Sequence, residues 1–427
     1  MKKWRYASGQ LDLTLVSESF GTYLAFFYLE KLGLSAAFYA LARTVYAFWD
    51  AINDPLFGHL SDRTKTRLGR RRPWLLVGVP LFLLFYLLVF WVPDWARSPQ
   101  VLPYYFAVGI VLYETMATVV WTNYGALFPE MFRGLSERAG AAALKRGTEL
   151  FGLILGIALT PLVYAQVGFL GMALLYGGLG GLLVLLFLKS IREDPKAQEA
   201  EPLPFIPAFR YTLGNQAFWI YSLAALFLLF AVGLFGAAMP FYAKYALGLG
   251  PEATSLLFAS VLLSALPSVL LWARLAGALG PKGAWLLAIF LLALGALVLF
   301  LPRTLLEALP VGLLIGVGFG GVLVLGDVLL AEVIDRDAEV TGRRREGVYY
   351  SVYGFINRLS GPLQALSFAL LTPLFGYVSG EVPGPRPEAA FRFLMAGPPF
   401  LATLLALALA FRFPYGAKGR MPGAGSS

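Results

Sequence analysis

The stretch from Trp74 to Pro93, WLLVGVPLFLLFYLLVFWVP, contains twenty residues and no charged side chain. A helix of that length extends about 30 Å at a rise of about 1.5 Å per residue, which matches the hydrocarbon core of a bilayer. The 427-residue chain is 58% hydrophobic and 14% charged, whereas soluble domains carry about 25% charged residues. The sequence therefore predicts an all-α integral membrane protein.

Apolar segments of this length occur about twelve times along the chain. They cover residues 11–31, 36–60, 74–93, 101–128, 141–166, 168–190, 216–246, 252–275, 283–301, 306–333, 346–376 and 389–412. The longest polar interruption follows the sixth segment and is rich in proline and charge, as is typical of an exposed linker. We predict an N-terminal six-helix bundle at 1–190, a cytoplasmic linker at 191–215, a C-terminal six-helix bundle at 216–413 and a tail at 414–427. Two related halves are a common plan of secondary transporters.

Basic residues concentrate in alternate loops. The formal net charge is +9, and the loop at 63–72 alone carries six Lys and Arg residues, whereas the loop at 94–100 is nearly neutral. Cytoplasmic loops of membrane proteins are enriched in Lys and Arg. We therefore expect both termini in the cytoplasm and the chain in the plasma or inner membrane. This distribution accounts for the basic balance without a nucleic-acid partner.

The residues of common catalytic sites are scarce. The chain has one histidine and no cysteine, which excludes disulfides, thiol catalysis and thiolate metal sites. It also has no Gly-x-Ser-x-Gly element and no histidine pair for a metal ion. We therefore expect no enzymatic activity.

Two acidic residues lie inside the second apolar segment, where each ionisable side chain costs at least about 2.5–3.5 kcal/mol. Asp50 and Asp54 are four residues apart, hence one helical turn apart on the same face. Two carboxylates stacked in a low dielectric repel each other unless a cation or a proton lies between them. The pair predicts a site for a monovalent metal cation or for a proton. The alternative is a structural ion pair with Arg43 or Arg358.

Further ionisable residues lie inside other predicted segments. Arg358 in the eleventh segment is the basic counterpart from the second half, with snorkelling toward an interface as the alternative. Lys145, Arg146 and Glu149 open the fifth segment, where the two basic residues are also consistent with a cytoplasmic helix end. Glu114 lies in the fourth segment, and the sequence indicates no local partner for it.

Three motifs resemble a known family. DAINDPLFGHLSDRT at 50–64, continuing to GRRRPW at 69–74, resembles the signature of the glycoside–pentoside–hexuronide cation symporters, the melibiose-permease branch of the major facilitator superfamily. AEVID at 331–335 with TGRRREG at 341–347, and ALFPE at 126–130, resemble further motifs of that family. The resemblance implies the major facilitator fold, with about twelve helices in two pseudo-symmetric six-helix bundles. It also implies alternating access and uptake of a sugar or glycoside-like solute coupled to Na⁺, Li⁺ or H⁺, with no other cofactor.

The resemblance also implies a cation site. The family's cation ligands correspond here to Asp50, Asn53, Asp54 and Thr118, which all carry side-chain oxygen atoms. The lysine that the family places in span eleven, near cation and sugar, corresponds to Arg358.

The solute side departs from the family pattern. A basic substrate-contacting residue of span five corresponds to Arg146, or to Lys145 if the register shifts by one. The two acids that melibiose permease uses fall on Thr14 and Trp121, and its stacking tryptophan falls on Gly125, next to Tyr124; Glu18, one turn after Thr14, is a substitute acid. The predicted substrate-binding residues are Arg358, Tyr124, Trp121, Arg146, Lys145, Glu149 and Glu18.

Loss of two acids argues against a melibiose-like galactoside as the solute. The stretch TELFG at 148–152 is similar to animal sodium-dependent lysophospholipid symporters. An amphiphilic solute is therefore the alternative. We expect a monomer that binds one small solute and a coupling cation among membrane lipids.

The loop after the second segment has a role of its own in the superfamily. Such loops hold the two halves together on the cytoplasmic side, and the corresponding residues here are Gly58, Asp62 and Arg63. The resemblance predicts that these residues gate access, with Asp62 pairing across the interface between the halves.

Overall fold

The structure, a computed structural model, describes residues 2–132, 135–189, 214–341 and 346–415. Within these ranges the chain is almost entirely helical, and no β-strand is formed. The chain divides into two compact units, Met1–Pro202 with Val378–Pro383, and Leu203–Tyr377 with Gly384–Ser427. The described residues do not include positions 191–213 of the predicted linker or positions 416–427 of the predicted tail. The boundaries between the four predicted regions therefore stay predictions.

The first unit contains six long helices. They are α1 (Lys2–Ala25), α2 (Ala36–Arg63), α3 (Arg72–Phe90), α4 (Leu102–Met131), α5 (Leu135–Leu153) and α6 (Thr160–Leu188). π-helical turns follow α1 at Phe26–Lys31 and α5 at Ile154–Leu159. Helix α1 packs against α5 and α6, α3 packs against α4 and α6, and α2 packs against α4.

The second unit repeats the helical plan. Its elements are α7 (Gln216–Phe241), α8 (Pro251–Leu279), α9 (Pro281–Val298), α10 (Leu305–Thr341), α11 (Glu346–Arg358), α12 (Ser360–Ala369), α13 (Leu371–Phe375) and α14 (Pro387–Arg412). A π-helical turn at Tyr242–Ala246 follows α7. Helix α10 packs against α8 and α9, and α14 packs against α7 and α9.

Two of the long helices begin at a residue whose side chain caps the N-terminus. The Ser35 side chain accepts a hydrogen bond from the Phe38 N–H at the start of α2, and Asn215 does the same for the Phe218 N–H at the start of α7. Each cap satisfies one of the N–H groups that a helix leaves unpaired at its N-terminus. Helix α1 begins nine residues before the predicted span at 11–31, because hydropathy marks the membrane core and not the full length of a helix.

Eight helical stretches among the described residues are long and apolar enough to cross a membrane. One of them, Gly140–Leu188, has 49 residues and would extend about 73 Å as a straight helix, more than twice a hydrocarbon core of about 30 Å. Gly168, with φ of 71° and ψ of 175°, breaks its helical geometry and divides it into the fifth and sixth predicted spans. These stretches thus contain nine of the twelve predicted spans. The other three, the first, second and eleventh, hold the predicted site residues Glu18, Asp50 and Arg358.

Prolines explain two departures from regular helix. The eleventh predicted span, 346–376, is interrupted after Arg358 and again after Ala369. Pro362 and Pro373 each lie four residues beyond these positions, so neither provides the N–H that the carbonyl would accept. In the π-helical turn after α5, the Ile157 carbonyl also has no N–H to accept four residues later, because residue 161 is a proline. The Tyr23 hydroxyl of α1 donates a hydrogen bond to this carbonyl.

Glycines bring α8 and α10 into close contact. A Cβ atom at Gly312, Gly316 or Gly320 would lie 2.0–2.2 Å from the hydroxyl oxygen of Ser260, Ser264 or Ser268, respectively. Both series repeat every four residues, hence along one helical face. Small residues at this spacing let helix backbones approach in a membrane. The glycines of α10 thus let this helix pack closely against α8.

Candidate cation and solute site

The acidic pair of α2 lies in the first unit. Asp50 is buried, and the Tyr46 hydroxyl, one turn earlier, donates a hydrogen bond of 2.8 Å to its Oδ1 atom. Asp54 is half-buried one turn later. The regular helix Ala36–Arg63 keeps both carboxylates on one face, as the sequence predicted. The Tyr46 hydroxyl orients the Asp50 carboxylate and was not identified from sequence.

Asn53 lies between the two acids and is fully buried. Within the described residues, neither its Oδ1 nor its Nδ2 atom has a hydrogen-bond partner. An unpaired buried amide costs about 1–3 kcal/mol, and a bound ion is one explanation for such a group. An amide oxygen is a suitable ligand for a hard cation, and the orphaned Asn53 side chain therefore fits a cation site.

Two contacts hold α2 against α4. The Trp49 Nε1–H donates to the Thr115 hydroxyl at 2.8 Å, and Arg43 Nη1 forms an ion pair with Glu114 Oε1 at 2.9 Å. Arg43 therefore pairs with Glu114, for which the sequence indicated no local partner. Opposite charges in two predicted spans were a signal for this pair, but the sequence did not indicate which helices are neighbours.

Thr118 is half-buried on α4, one turn beyond Thr115. The contact between Trp49 and Thr115 brings this part of α4 beside the Asp50 turn of α2. Two carboxylates, an amide and a hydroxyl thus occur on two adjoining helices. Oxygen donors of this kind suit hard cations.

A second group of charges lies where α1 meets α5. A Cβ atom at Gly156 would lie 3.2 Å from the Glu18 Cβ, which shows how closely the two segments approach. The acids Glu18 and Glu149 repel each other electrostatically. Glu149 forms an ion pair of 2.8 Å with Arg146. The Lys145 ammonium lies 5.8 Å from the ring of Tyr124. The structure thus brings together the predicted solute residues of α1 and α5.

The two predicted aromatic residues of α4 differ in accessibility. Trp121 is half-buried, and its Nε1–H donates to the Ser17 hydroxyl of α1 at 3.3 Å. Tyr124 is fully buried, stacks on Tyr6 at a centroid distance of 4.5 Å, and donates from its hydroxyl to the Tyr6 carbonyl. Tyr124 therefore contributes to helix packing, and its contact with a solute stays a prediction.

Arg358 belongs to the second unit and is half-buried in the last turn of α11. Because Pro362 interrupts the helix there, carbonyl groups of this turn lack their usual helical partners. A basic side chain near a helix C-terminus is favoured by the helix dipole. The interruption therefore suits a positive charge inside this span.

Asp62 forms an ion network within the first unit. It pairs with Arg71 and, at 3.9 Å, with Arg70, and Arg70 pairs with Glu130 of α4 at 2.8 Å. Arg63 is exposed, and a Cβ atom at Gly58 would meet nothing within 4 Å. It stays a prediction that Asp62, Arg63 and Gly58 gate access. The pairing of Asp62 with the other half also stays a prediction. The remaining site assignments also stay predictions.

Known proteins resemble this chain along most of its length. It is 29% identical to the uncharacterized symporter YnaJ of Bacillus subtilis over 90% of this chain and 85% of that protein. It is 24% identical to the sodium-dependent lysophosphatidylcholine symporter 1 of Gallus gallus, over 96% of this chain and 85% of that protein. It is also 24% identical to the glucuronide carrier protein homolog of Escherichia coli, over 96% of this chain and 92% of that protein.

A solved structure shares the fold. The crystal structure of a D-xylose-proton symporter covers 98% of both chains with a TM-score of 0.71 and 15% sequence identity. This likeness confirms the predicted major facilitator fold. The profile of the MFS/sugar transport protein family matches residues 5–417, nearly the whole chain. The chain therefore belongs to this family, as a multi-pass membrane symporter of the glycoside–pentoside–hexuronide cation branch and a transporter rather than an enzyme.

Proposed function

We propose that this symporter couples uptake of a sugar or glycoside-like solute to Na⁺, with Asp50, Asn53, Asp54 and Thr118 as cation ligands. One observation carries the proposal: the buried Asn53 amide lies between two acids of one helix and has no hydrogen-bond partner among the described residues. A cation bound there satisfies the amide oxygen and removes the repulsion between the carboxylates. Li⁺ and H⁺ are the alternative coupling ions.

The Tyr46 hydroxyl and the two contacts between α2 and α4 are the supporting elements of this site. The hydroxyl holds the Asp50 carboxylate in one orientation, and the contact between Trp49 and Thr115 fixes the register of the two helices. Ligands held in place before binding lose less entropy when the cation enters. Cation and solute should then favour each other's binding equally, because coupling free energy is reciprocal.

The proposed solute is a polar one that contacts Trp121, Arg146, Lys145, Glu149 and Glu18. Paired acidic and basic side chains suit hydroxyl groups, which both donate and accept hydrogen bonds. The half-buried ring of Trp121 offers an apolar face to a sugar ring. A relative named as a glucuronide carrier homolog supports this class.

A lysophospholipid-like amphiphile is the second candidate solute. The observation that favours it is the mixture of both charge signs between α1 and α5, which suits a zwitterionic headgroup. Relatives named as sodium-dependent lysophosphatidylcholine symporters support it. Under either candidate we propose a monomer in the plasma or inner membrane with both termini cytoplasmic, and gating by Asp62, Arg63 and Gly58.

The cation site is tested with purified protein in liposomes. Solute-dependent uptake is measured with imposed gradients of Na⁺, Li⁺ or H⁺, for the wild type and for Asp50→Asn and Asp54→Asn. Both variants are expected to lose the cation dependence, because an amide cannot balance the cation charge. Asp94→Asn is the control, since Asp94 is an exposed acid outside the long helices. Unchanged cation dependence in both test variants would refute the site.

The two solute classes are separated by thermal stability. Purified protein is screened against sugars and lysophospholipids, with and without Na⁺, because a ligand that binds only the folded state raises the unfolding temperature. Stabilisation by a sugar that increases with Na⁺ supports the first candidate. Stabilisation by lysophospholipids alone replaces it with the second.

A further inference from the structure

Asp12 is an acid in the middle of α1 that the proposed cation and solute sites do not use. Its exposed fraction is 0%. Within the described residues, neither of its carboxyl oxygens has a hydrogen-bond partner. A carboxyl group in this position is unusual, because buried polar groups are generally hydrogen-bonded and buried charges are paired.

The Asp12 carboxyl lies directly against the backbone of α6. A Cβ atom at Gly180 would lie 2.0 Å from Asp12 Oδ1, and the Leu83 side chain of α3 lies 3.3 Å from the same position. The carboxyl therefore fits only because residue 180 has no side chain. Gly177, one turn earlier on α6, has nothing within 4 Å of its Cβ position, so this close contact is particular to Gly180.

Within the described residues, the titratable side chains that interact electrostatically with Asp12 include two phenols. They are Tyr86 of α3 and Tyr113 of α4, and Tyr176 of α6 interacts with Tyr86. On α5, Glu149 forms an ion pair of 2.8 Å with Arg146, and the Lys145 ammonium lies beside the Tyr124 ring. An ionised carboxylate here would have neither a hydrogen-bond donor nor an ion-pair partner among the described residues. A neutral carboxylic acid avoids the cost of burying such a charge.

We propose that Asp12 is a proton-binding site, loaded in the conformation described here and exchanged when α1 moves against α6. On release the carboxyl O–H bond breaks, its electron pair stays on the carboxylate, and the proton passes to a water molecule. The site is distinct from Asp50 and Asp54, and its occupancy requires neither the solute nor the cation proposed above. It adds a proton to the transport cycle.

Local helix geometry provides a route for the motion. π-helical turns follow α1 at Phe26–Lys31 and α5 at Ile154–Leu159, and the second of these contacts α1. A π-helical turn forms hydrogen bonds between residues five apart, in place of the four-residue spacing of an α-helix, and is frequent at functional sites. A shift of α1 at these turns would carry Asp12 away from Gly180 and open its carboxyl to water.

Infrared difference spectroscopy and transport test the proposal together. The wild type is expected to show a protonated carboxyl band near neutral pH that Asp12→Asn lacks. Gly180→Ala should lose or shift the band, since the new methyl group displaces the carboxyl. Gly177→Ala is the matched control in the same helix and should keep the band. Cation-driven uptake should depend on pH in the wild type and in Gly177→Ala, and lose that dependence in Asp12→Asn.

The outcomes separate clearly. A wild type without an Asp12 carboxyl band overturns the proposal, because Asp12 is then ionised. A band in the wild type with an unchanged pH profile in Asp12→Asn also overturns it, because the acid is then only structural. The infrared measurement needs no transported solute, so its result stands whether or not the cation site at Asp50 and Asp54 is upheld. If Asp12→Asn fails to fold, the comparison of Gly180→Ala with Gly177→Ala decides the question.

Discussion

The ion pair between Arg43 and Glu114 offers the sharpest test of how the first unit is held together. The two charged atoms are 2.9 Å apart, and the side chains are 19% and 22% exposed. At an effective dielectric constant of about 20, their Coulomb attraction is about 6 kcal/mol. Desolvation of both groups offsets much of this attraction, so the pair as a whole contributes little net stability, whereas either charge left alone is costly.

We therefore predict a strongly non-additive set of variants. Arg43→Gln and Glu114→Gln should each lower the free energy of unfolding by about 3 kcal/mol, because one buried charge loses its partner. The double variant should recover most of that loss, because two amides can hydrogen-bond to each other. The measurement is unfolding in mixed micelles with increasing denaturing detergent, followed by circular dichroism.

Additive losses in the double variant would contradict this reasoning, because independent effects show no coupling. The pair Asp94–Arg97 is the control, since both side chains are mostly exposed and such pairs contribute little. Asp94→Asn should therefore leave stability unchanged. The single variants of Arg43 and Glu114 should also weaken Na⁺ binding, since the pair holds α2 against α4 beside Asp50.

Two further predictions concern helix packing. Trp49→Phe removes the hydrogen bond to Thr115 and should lower stability by about 1 kcal/mol, with a loss of Na⁺ affinity in calorimetry; unchanged affinity would show that this contact does not position the site. Gly316→Ala places a Cβ 2.1 Å from the backbone oxygen of Val261, so α8 and α10 must separate, at a cost of about 1–3 kcal/mol. Thermal unfolding should occur at a lower temperature in Gly316→Ala but not in the control Gly277→Ala, where nothing lies within 4 Å.

Much of the fold could be predicted from sequence because membrane insertion depends on local properties. Twenty apolar residues from Trp74 to Pro93 are sufficient to indicate one span, and the same reasoning located the others. The acids of α2 were also recognisable, since Asp50 and Asp54 stand out in an apolar segment and their spacing alone places them on one face. The family motif added the expected roles of Asn53 and Thr118.

The partners of buried side chains could not be predicted in this way. The sequence contained Arg43, Glu114 and Asp12, but it did not indicate that the first two meet or that the third lies against Gly180. Such contacts depend on the rotation and register of each helix against its neighbours, which close packing of many side chains sets together. Sequence alone thus located most of the apolar spans and the costly charges that lie along the chain. Tertiary structure decided which of those charges are paired, which are left without a partner, and what each of them faces, because these properties arise only between helices.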